Sequence, residues 1–297
     1  MRIILASSPN KITVACLKAG KPDNLLFSYY YMKRMNDEVT EEMFSYFKKD
    51  GVFIMIDSGA HSFFSEEGLS IAHSKKVKKK ETNYEEYAKE YMIWLKKFAK
   101  YIDVAVELDI DALIGYPRVL HIRKMLESSG VKIAPVWHTS LGDKEWSVMC
   151  DTYDYIGIGL GDVQKSQSIL SIGFFADKMK EAVAKKVKVH AFGMIKPNYI
   201  MNLPFYSVDS SSWSMGARYG CLCGFDPKTG KLKMGRVKTK EQYIRILQHL
   251  HLSMSLESLF SVDRSYMNRD IVNIQAYKAL EVYVTNLWKA RGIVWED

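Results

Sequence analysis

Short, almost continuously apolar runs punctuate the chain at Arg2–Ala6, Val52–Ile56, Val104–Leu108, Val131–Val136, Tyr155–Gly159, Val187–Phe192 and Phe205–Val208. Each is bounded by polar residues. Runs that stay apolar at successive positions, instead of alternating, predict strands buried on both faces, as in a parallel sheet. Between them the period lengthens to that of a helix. Tyr84–Tyr101 puts Tyr87, Tyr91, Trp94 and Phe98 on one stripe, with Glu and Lys opposite. Pro117–Glu127 opens on a proline suited to a first helical position and is followed by Gly130. Lys165–Lys185 and Ile271–Ala290 read as helices as well. Strands alternating with helices at this spacing predict an α/β protein with parallel strands.

The ends of the runs carry the polar residues. Val52–Ile56 ends at Asp57, and Val104–Leu108 at Asp109 with Asp111 close behind. Val131–Val136 leads into Trp137 and His138, Tyr155–Gly159 into Gly161 and Asp162, and Phe205–Val208 into Asp209. Acids and an imidazole at the ends of successive parallel strands fit the catalytic face of a (β/α)8 TIM-type barrel. An open doubly wound sheet would gather them at one switch point instead. Seven strands are legible, so the eighth is expected to be weak and to follow Gly216. Ser65–Thr82 reads as a solvated basic loop, and Tyr219–Val237 as a β-hairpin turning at Asp226–Gly230. The expected organisation is a barrel over 1–220 and a C-terminal β-hairpin with helical extension over 221–297, packed as one continuous domain.

Composition narrows the class without naming an activity. The 297 residues are 47% hydrophobic and 26% charged, which excludes a largely disordered chain. No run approaches the roughly 18 apolar residues of a membrane span. The apolar opening Ile3–Ala6 is too short for a secretory signal, and a soluble cytoplasmic protein is expected. Cys16, Cys150, Cys221 and Cys223 do not make a disulfide framework in a chain of this length, which suits a reducing compartment. Forty-two Lys and Arg against 34 Asp and Glu give a net charge of +8, which permits a polyanionic partner.

Four strings in order carry a family resemblance: Ile56–Phe63, Pro135–His138, Val189–Gly193 and Val208–Trp213. Together they resemble the tRNA-guanine transglycosylase superfamily. The closer similarity is to its compact phage and bacterial branch, the DpdA-like enzymes that place 7-deazaguanine bases in DNA. The resemblance spans roughly the first 220 residues. It implies that Asp57, in the family's Asp-Ser-Gly-Gly box here written Asp57-Ser58-Gly59-Ala60, serves proton transfer and base contact. It implies further that Asp109 reads the guanine edge and that His138 stands where the tRNA enzymes carry glutamine. Gly159 and Gly161 would frame a turn whose backbone N–H meets the base carbonyl. His61 and Phe192 would sandwich the base, and Asp209 would be the nucleophile. Ala60 and His138 depart from the family pattern, and so does a zinc set that is incomplete. Cys221 and Cys223 fit its first two cysteines, the third is Asp226, and His249 or His251 is left as the last donor. Cysteines on one face of a hairpin strand also suit the core, so no cofactor is expected.

The chemistry implied is base exchange. A carboxylate can hold C1′ as a glycosyl ester and later leave, with Asp209 in that role and Asp57 moving the proton. A carboxylate at Asp109 accepts from guanine N1–H and N2–H and rejects adenine. A duplex substrate would be flipped, and Lys75, Lys76, Lys78, Lys79, Lys80 and Arg218 would contact phosphate. The partners are therefore DNA and a free 7-deazaguanine base, in host cytoplasm if the source is a phage. Two alternatives stand: the same exchange on tRNA, and a catalytically silent nucleic-acid binder. A metal hydrolase on the same barrel lacks a His-x-His pair after the first strand. Singly, Asp57 suits a helix cap, Asp111 a cap or surface position, and His190 a satisfied core site.

Overall fold

The computed structural model describes residues 1–60, 62, 83–159, 172–236, 239–255, 259 and 265–296. Among them nine strand segments form one sheet: β1 (Arg2–Ser7), β2 (Asn24–Ser28), β3 (Phe53–Asp57), β4 (Val104–Val106), β5 (Ile133–Ala134), β6 (Val136–Trp137), β7 (Tyr155–Ile158), β8 (Lys188–Ala191) and β9 (Ser207–Ser210). Their order is β5-β4-β3-β2-β1-β9-β8-β7-β6. The pairs β1–β9, β3–β4, β4–β5 and β6–β7 are parallel. β5 and β6 are halves of one strand broken at Pro135, which has no N–H for the ladder. Nine segments are therefore eight strands. Because the two halves stand at opposite ends of the order, the Ile133–Trp137 run closes the sheet, and the fold is a (β/α)8 barrel.

The eighth strand is not where the sequence put it. It is β2, near the start of the chain, whereas the segment after Gly216 leads into a separate two-stranded sheet. Only Leu25, Leu26 and Phe27 are apolar in β2, and the single Ser28 separates them from the aromatic run Tyr29–Tyr31, so the run is short and its polar boundary is one residue wide. The other runs become strands near their expected bounds. The Tyr84–Tyr101 stripe is a helix over Tyr84–Phe98 with a closing 3₁₀ turn at Ala99–Tyr101.

Two compact units divide the chain elsewhere than at 220/221: Leu26–His190, and Met1–Leu25 with Ala191–Asp297. In the continuous unit, β3, β4 and β5 pair in parallel and helices follow them at Tyr84–Phe98, Tyr116–Glu127 and Gly142–Thr152. Its interior holds one ion pair. Glu107 and Arg123 are 1% and 2% exposed, and the guanidinium meets the carboxylate through Nε at 2.7 Å and Nη2 at 3.1 Å. Glu107 Oε1 also accepts the Val136 N–H at 2.6 Å, and Tyr116 and Tyr153 hydroxyls accept from Arg123 at 3.3 Å. The bidentate geometry offsets the cost of taking both charges out of water.

The other unit joins β1 to β9 in register, Ile4 opposite Asp209, and packs the 26-residue helix Ser265–Ala290 against its own strands and helices. Asn273, Tyr277, Leu280, Val284 and Trp288 are the buried stripe of that helix, at spacings of three and four. Its polar members act as clamps. Asn273 accepts the Cys223 N–H and donates to the Trp213 carbonyl, both at 2.7 Å, and Glu281 accepts from the Ile3 N–H at 2.8 Å and from the Asn24 amide. The expected hairpin is present, as β10 (Cys221–Asp226) and β11 (Lys231–Arg236), antiparallel, with Gly230 at φ +64 in its turn.

The Glu107–Arg123 pair yields a direct expectation. Arg123→Ala leaves a buried carboxylate uncompensated and costs about 3–5 kcal/mol. Urea unfolding followed by circular dichroism should show a lower midpoint with an unchanged slope.

Candidate active site

In the Leu26–His190 unit, three polar side chains converge just past the strand ends. His138 follows β6, and Asp109 and Asp111 follow β4. His138 Nδ1 lies 2.7 Å from Asp111 Oδ1, and its Nε2 lies 3.9 Å from Asp109 Oδ2. Asp111, at the start of the short helix Asp111–Ile114, is only 11% exposed and holds the imidazole. The sequence reading had left it a cap or surface residue. The Asp-x-Asp spacing after β4 was the available signal, since alternate residues share a face.

Room for the imidazole comes from Gly159. A Cβ there would overlap His138 Nε2 and Cδ2. The Gly159 N–H is spent on the Trp137 carbonyl at 3.0 Å, so the turn amide role implied by the resemblance does not fall on this N–H. The residue's contribution is absence of a side chain.

Asp57 ends β3 half-buried, and its Oδ2 accepts the Gly59 N–H at 3.0 Å. The tight turn needs glycine at 59: φ is +73, and a Cβ would press on Tyr30. Ser58 is fully buried, with its hydroxyl toward the Ala60 N–H, so it shapes the turn from beneath the surface. Two tyrosines that the sequence offered only as an apolar stripe fasten these strand ends. Tyr87 donates to the Ser58 carbonyl at 2.6 Å, and Tyr91 to the carbonyls of Ile56 and Val106 at 3.3 and 3.1 Å. Tyrosine in place of phenylalanine on a buried stripe was the sign that hydroxyls were needed there.

Burial raises the Asp109 carboxyl to about 7, with His138 opposing the rise and the nearby Asp57 and Glu107 adding to it. Burial depresses the His138 imidazole. The Asp111 hydrogen bond and the charges of Asp109, Asp111 and Glu107 outweigh it, and the net shift is upward. Burial raises Asp111, yet the bond and charge of His138 carry it below the usual carboxylate range. A carboxyl and an imidazole, both with raised pKa values, thus stand side by side, and the imidazole is held by a second carboxyl whose pKa is lowered. Such a group can accept hydrogen bonds from N–H donors or move a proton.

The remaining expected residues fall in the other unit or outside the described residues. In the other unit, Asp209 lies half-buried in β9, and its Oδ1 accepts the Gly193 N–H at 2.6 Å, which fixes the carboxylate's orientation. Phe192 is half-buried beside that glycine, and Arg218 is exposed. His61, Gly161 and the run Lys75, Lys76, Lys78, Lys79, Lys80 lie outside the described residues.

Among the described residues no three His, Cys, Asp or Glu side chains gather to hold a metal ion. Cys223 is buried, its thiol pushed up to about 12 by desolvation, and Asp226 closes the hairpin turn through the Lys228 N–H and the Thr229 hydroxyl. Nor is any described helix long and apolar enough to cross a membrane.

No protein family and no curated protein sequence matches the chain. Solved structures do. A protein described as a fructose-1,6-biphosphate aldolase from Coccidioides immitis superposes with a TM-score of 0.50 at 9% identity, over 98% of this chain and 92% of that one. A tryptophan synthase complex from Pyrococcus furiosus gives 0.46 at 12% identity, over 74% of this chain and 90% of that one. At these identities the aldolase match shows a shared barrel fold and nothing of activity.

Two outcomes test the site's electrostatics. Asp111→Asn removes a full charge from His138 Nδ1, so the imidazole titration followed by NMR should move to lower pH. Asp109, whose folded pKa is raised, binds more protons folded than unfolded, so its contribution to stability falls as pH rises from about 4 to 7. Asp109→Asn should therefore melt at a higher temperature than the wild type at pH 8, and the gap should close by pH 4.

Proposed function

We propose that the chain is a guanine transglycosylase acting on DNA, exchanging guanine for a 7-deazaguanine base. The observation that carries this reading is the Asp109–His138–Asp111 cluster beside the strand that ends at Asp57. Guanine presents two adjacent N–H donors and a carbonyl. An ionised Asp109 accepts the donors, and an imidazolium offers the carbonyl a hydrogen bond that the family's glutamine would supply as an amide. His138 has the raised pKa and the fixed Nδ1 that this task asks for. A base with two donors also favours the ionised form of Asp109, so binding pulls its pKa down from about 7.

On this reading the resemblance gives Asp209 the nucleophile's part. Its carboxylate attacks C1′ as the C1′–N9 bond breaks, and the electron pair leaves with guanine, which takes a proton from Asp57. The incoming base then gives its N9 proton to Asp57, attacks C1′ and displaces the Asp209 carboxylate. The Gly193 N–H on Oδ1 supports the role by holding the attacking group in one orientation.

The deciding experiment supplies labelled guanine and, separately, labelled 7-deazaguanine bases with duplex DNA and with bulk tRNA, then quantifies label in each nucleoside pool. Label is expected in DNA, and Asp209→Ala should lower the rate by about 10⁴-fold or more. Label confined to tRNA would move the substrate to RNA. Label in neither pool, or exchange that survives Asp209→Ala, would overturn the assignment.

A further inference from the structure

A pocket lies within the unit formed by Met1–Leu25 and Ala191–Asp297. Its volume is 270 Å³, and Asn10, Thr13, Ser214, Arg218, Arg269 and Asp270 are among its walls. One helix begins there. Asn10 caps Lys11–Gly20 through the Thr13 N–H, and Arg269 and Asp270 reach the pocket from the second turn of Ser265–Ala290. The capped helix brings the positive end of its dipole to the pocket, and the amides of a first turn have no carbonyl partner within their own helix.

Asp270 is the anomaly. It is 6% exposed, the Cys16 thiol is its hydrogen-bonding neighbour, and Oδ1 has no hydrogen-bond partner among the described residues. A buried acceptor left open costs free energy, and such an atom in a native structure calls for a missing donor. The donor's charge follows from the surroundings. Arg218 and Arg269 both act on Asp270, and Arg269 is aimed by bonds from Nε and Nη1 to the carbonyls of Ala217 and Leu259, each 2.7 Å. Two guanidinium groups and one helix N-terminus against one carboxylate leave the pocket positive. An ammonium ligand is disfavoured there. The fitting ligand carries an oxyanion for Arg218 and the helix amides, and a neutral O–H for Asp270.

We infer that this pocket binds a phosphate ester together with a hydroxyl of the sugar that bears it. Arg218 takes the phosphate, the first turn of Lys11–Gly20 supplies backbone donors, and Asp270 Oδ1 accepts the sugar hydroxyl. Ser214 and Thr13 hydroxyls line the same space, and Ile12, 49% exposed at its edge, offers an apolar surface to the sugar ring. The inference shares Arg218 with the phosphate contacts that the transglycosylase reading expects, but it uses none of the residues which that reading gives to base binding or to bond breaking. Two sources share the chemistry: a free sugar phosphate and a nucleotide of a nucleic-acid chain.

The test uses the full chain with four probes: ribose 5-phosphate, ribose, inorganic phosphate, and an oligodeoxythymidylate with unphosphorylated ends. Calorimetry should find ribose 5-phosphate binding at least tenfold tighter than ribose or inorganic phosphate, and Arg218→Gln weakening it about tenfold. Arg218 is exposed, so the variant should melt like the wild type. As a measurement free of mutation, phenylglyoxal modification of Arg218, read by mass spectrometry, should slow when ribose 5-phosphate is present and not when ribose is. Protection by the oligonucleotide alone assigns the site to a nucleic-acid backbone, and protection by ribose 5-phosphate alone to a free ester. Inorganic phosphate binding as tightly as ribose 5-phosphate would overturn the sugar contact, and no protection by either ester would overturn the site. The base-exchange assay is read separately, so failure here and failure there are distinct results.

Discussion

Much of the site in the Leu26–His190 unit depends on one buried carboxylate. Glu107 projects from the end of β4, meets Arg123 on the following helix and takes the Val136 N–H just after the proline break. Proline interrupts the ladder at the point where the last strand pair must form, and Glu107 supplies the acceptor that the broken ladder would otherwise lack. Two residues beyond Glu107 stands Asp109, and two beyond Val136 stands His138. The ion pair therefore sets the separation of the two strand ends on which the acid–imidazole cluster is mounted, and the Glu107 charge pushes the pKa of both Asp109 and His138 upward.

That arrangement sets local stability against chemistry. Asp109 keeps only a third of its side-chain surface exposed and sits among other carboxylates, an environment that favours its protonated form. Asp111 has the opposite setting, ionised and bonded to the ring. Two aspartates two residues apart are thus driven to different protonation states by depth and partner, which is how neighbouring carboxylates come to hold separate roles.

The barrel was legible because buried parallel strands write themselves as apolar runs, and because Asp57, Asp109, His138 and Asp209 punctuate their ends. β2 escaped because it has only three apolar residues, and a single serine, Ser28, stands between them and an aromatic helix. Asp111 was underestimated because a carboxylate after a strand is as good a helix cap as a ligand to histidine, and only the three-dimensional approach of His138 separates the two. Arg123 was silent for the same reason. A lone arginine on a helix is ordinarily solvated, and its burial depends on Glu107, 16 residues earlier. Of the pocket beside Asp270 only Arg218 was expected to meet phosphate, since Asn10, Arg218 and Asp270 are brought together from distant parts of the chain.

The division into units has a consequence for synthesis. Met1–Leu25 shares its compact unit with residues from Ala191 onward, while Leu26–His190 is continuous. On a ribosome the first strand therefore emerges long before its partner β9 exists. At about 5–20 residues per second it waits on the order of 10–40 s, during which Ile3, Ile4 and Leu5 lack the strand on one side of them. The continuous unit has no such delay and can complete its own contacts while the remainder is still being made. The opening strand therefore completes its pairing only after β9 has been made.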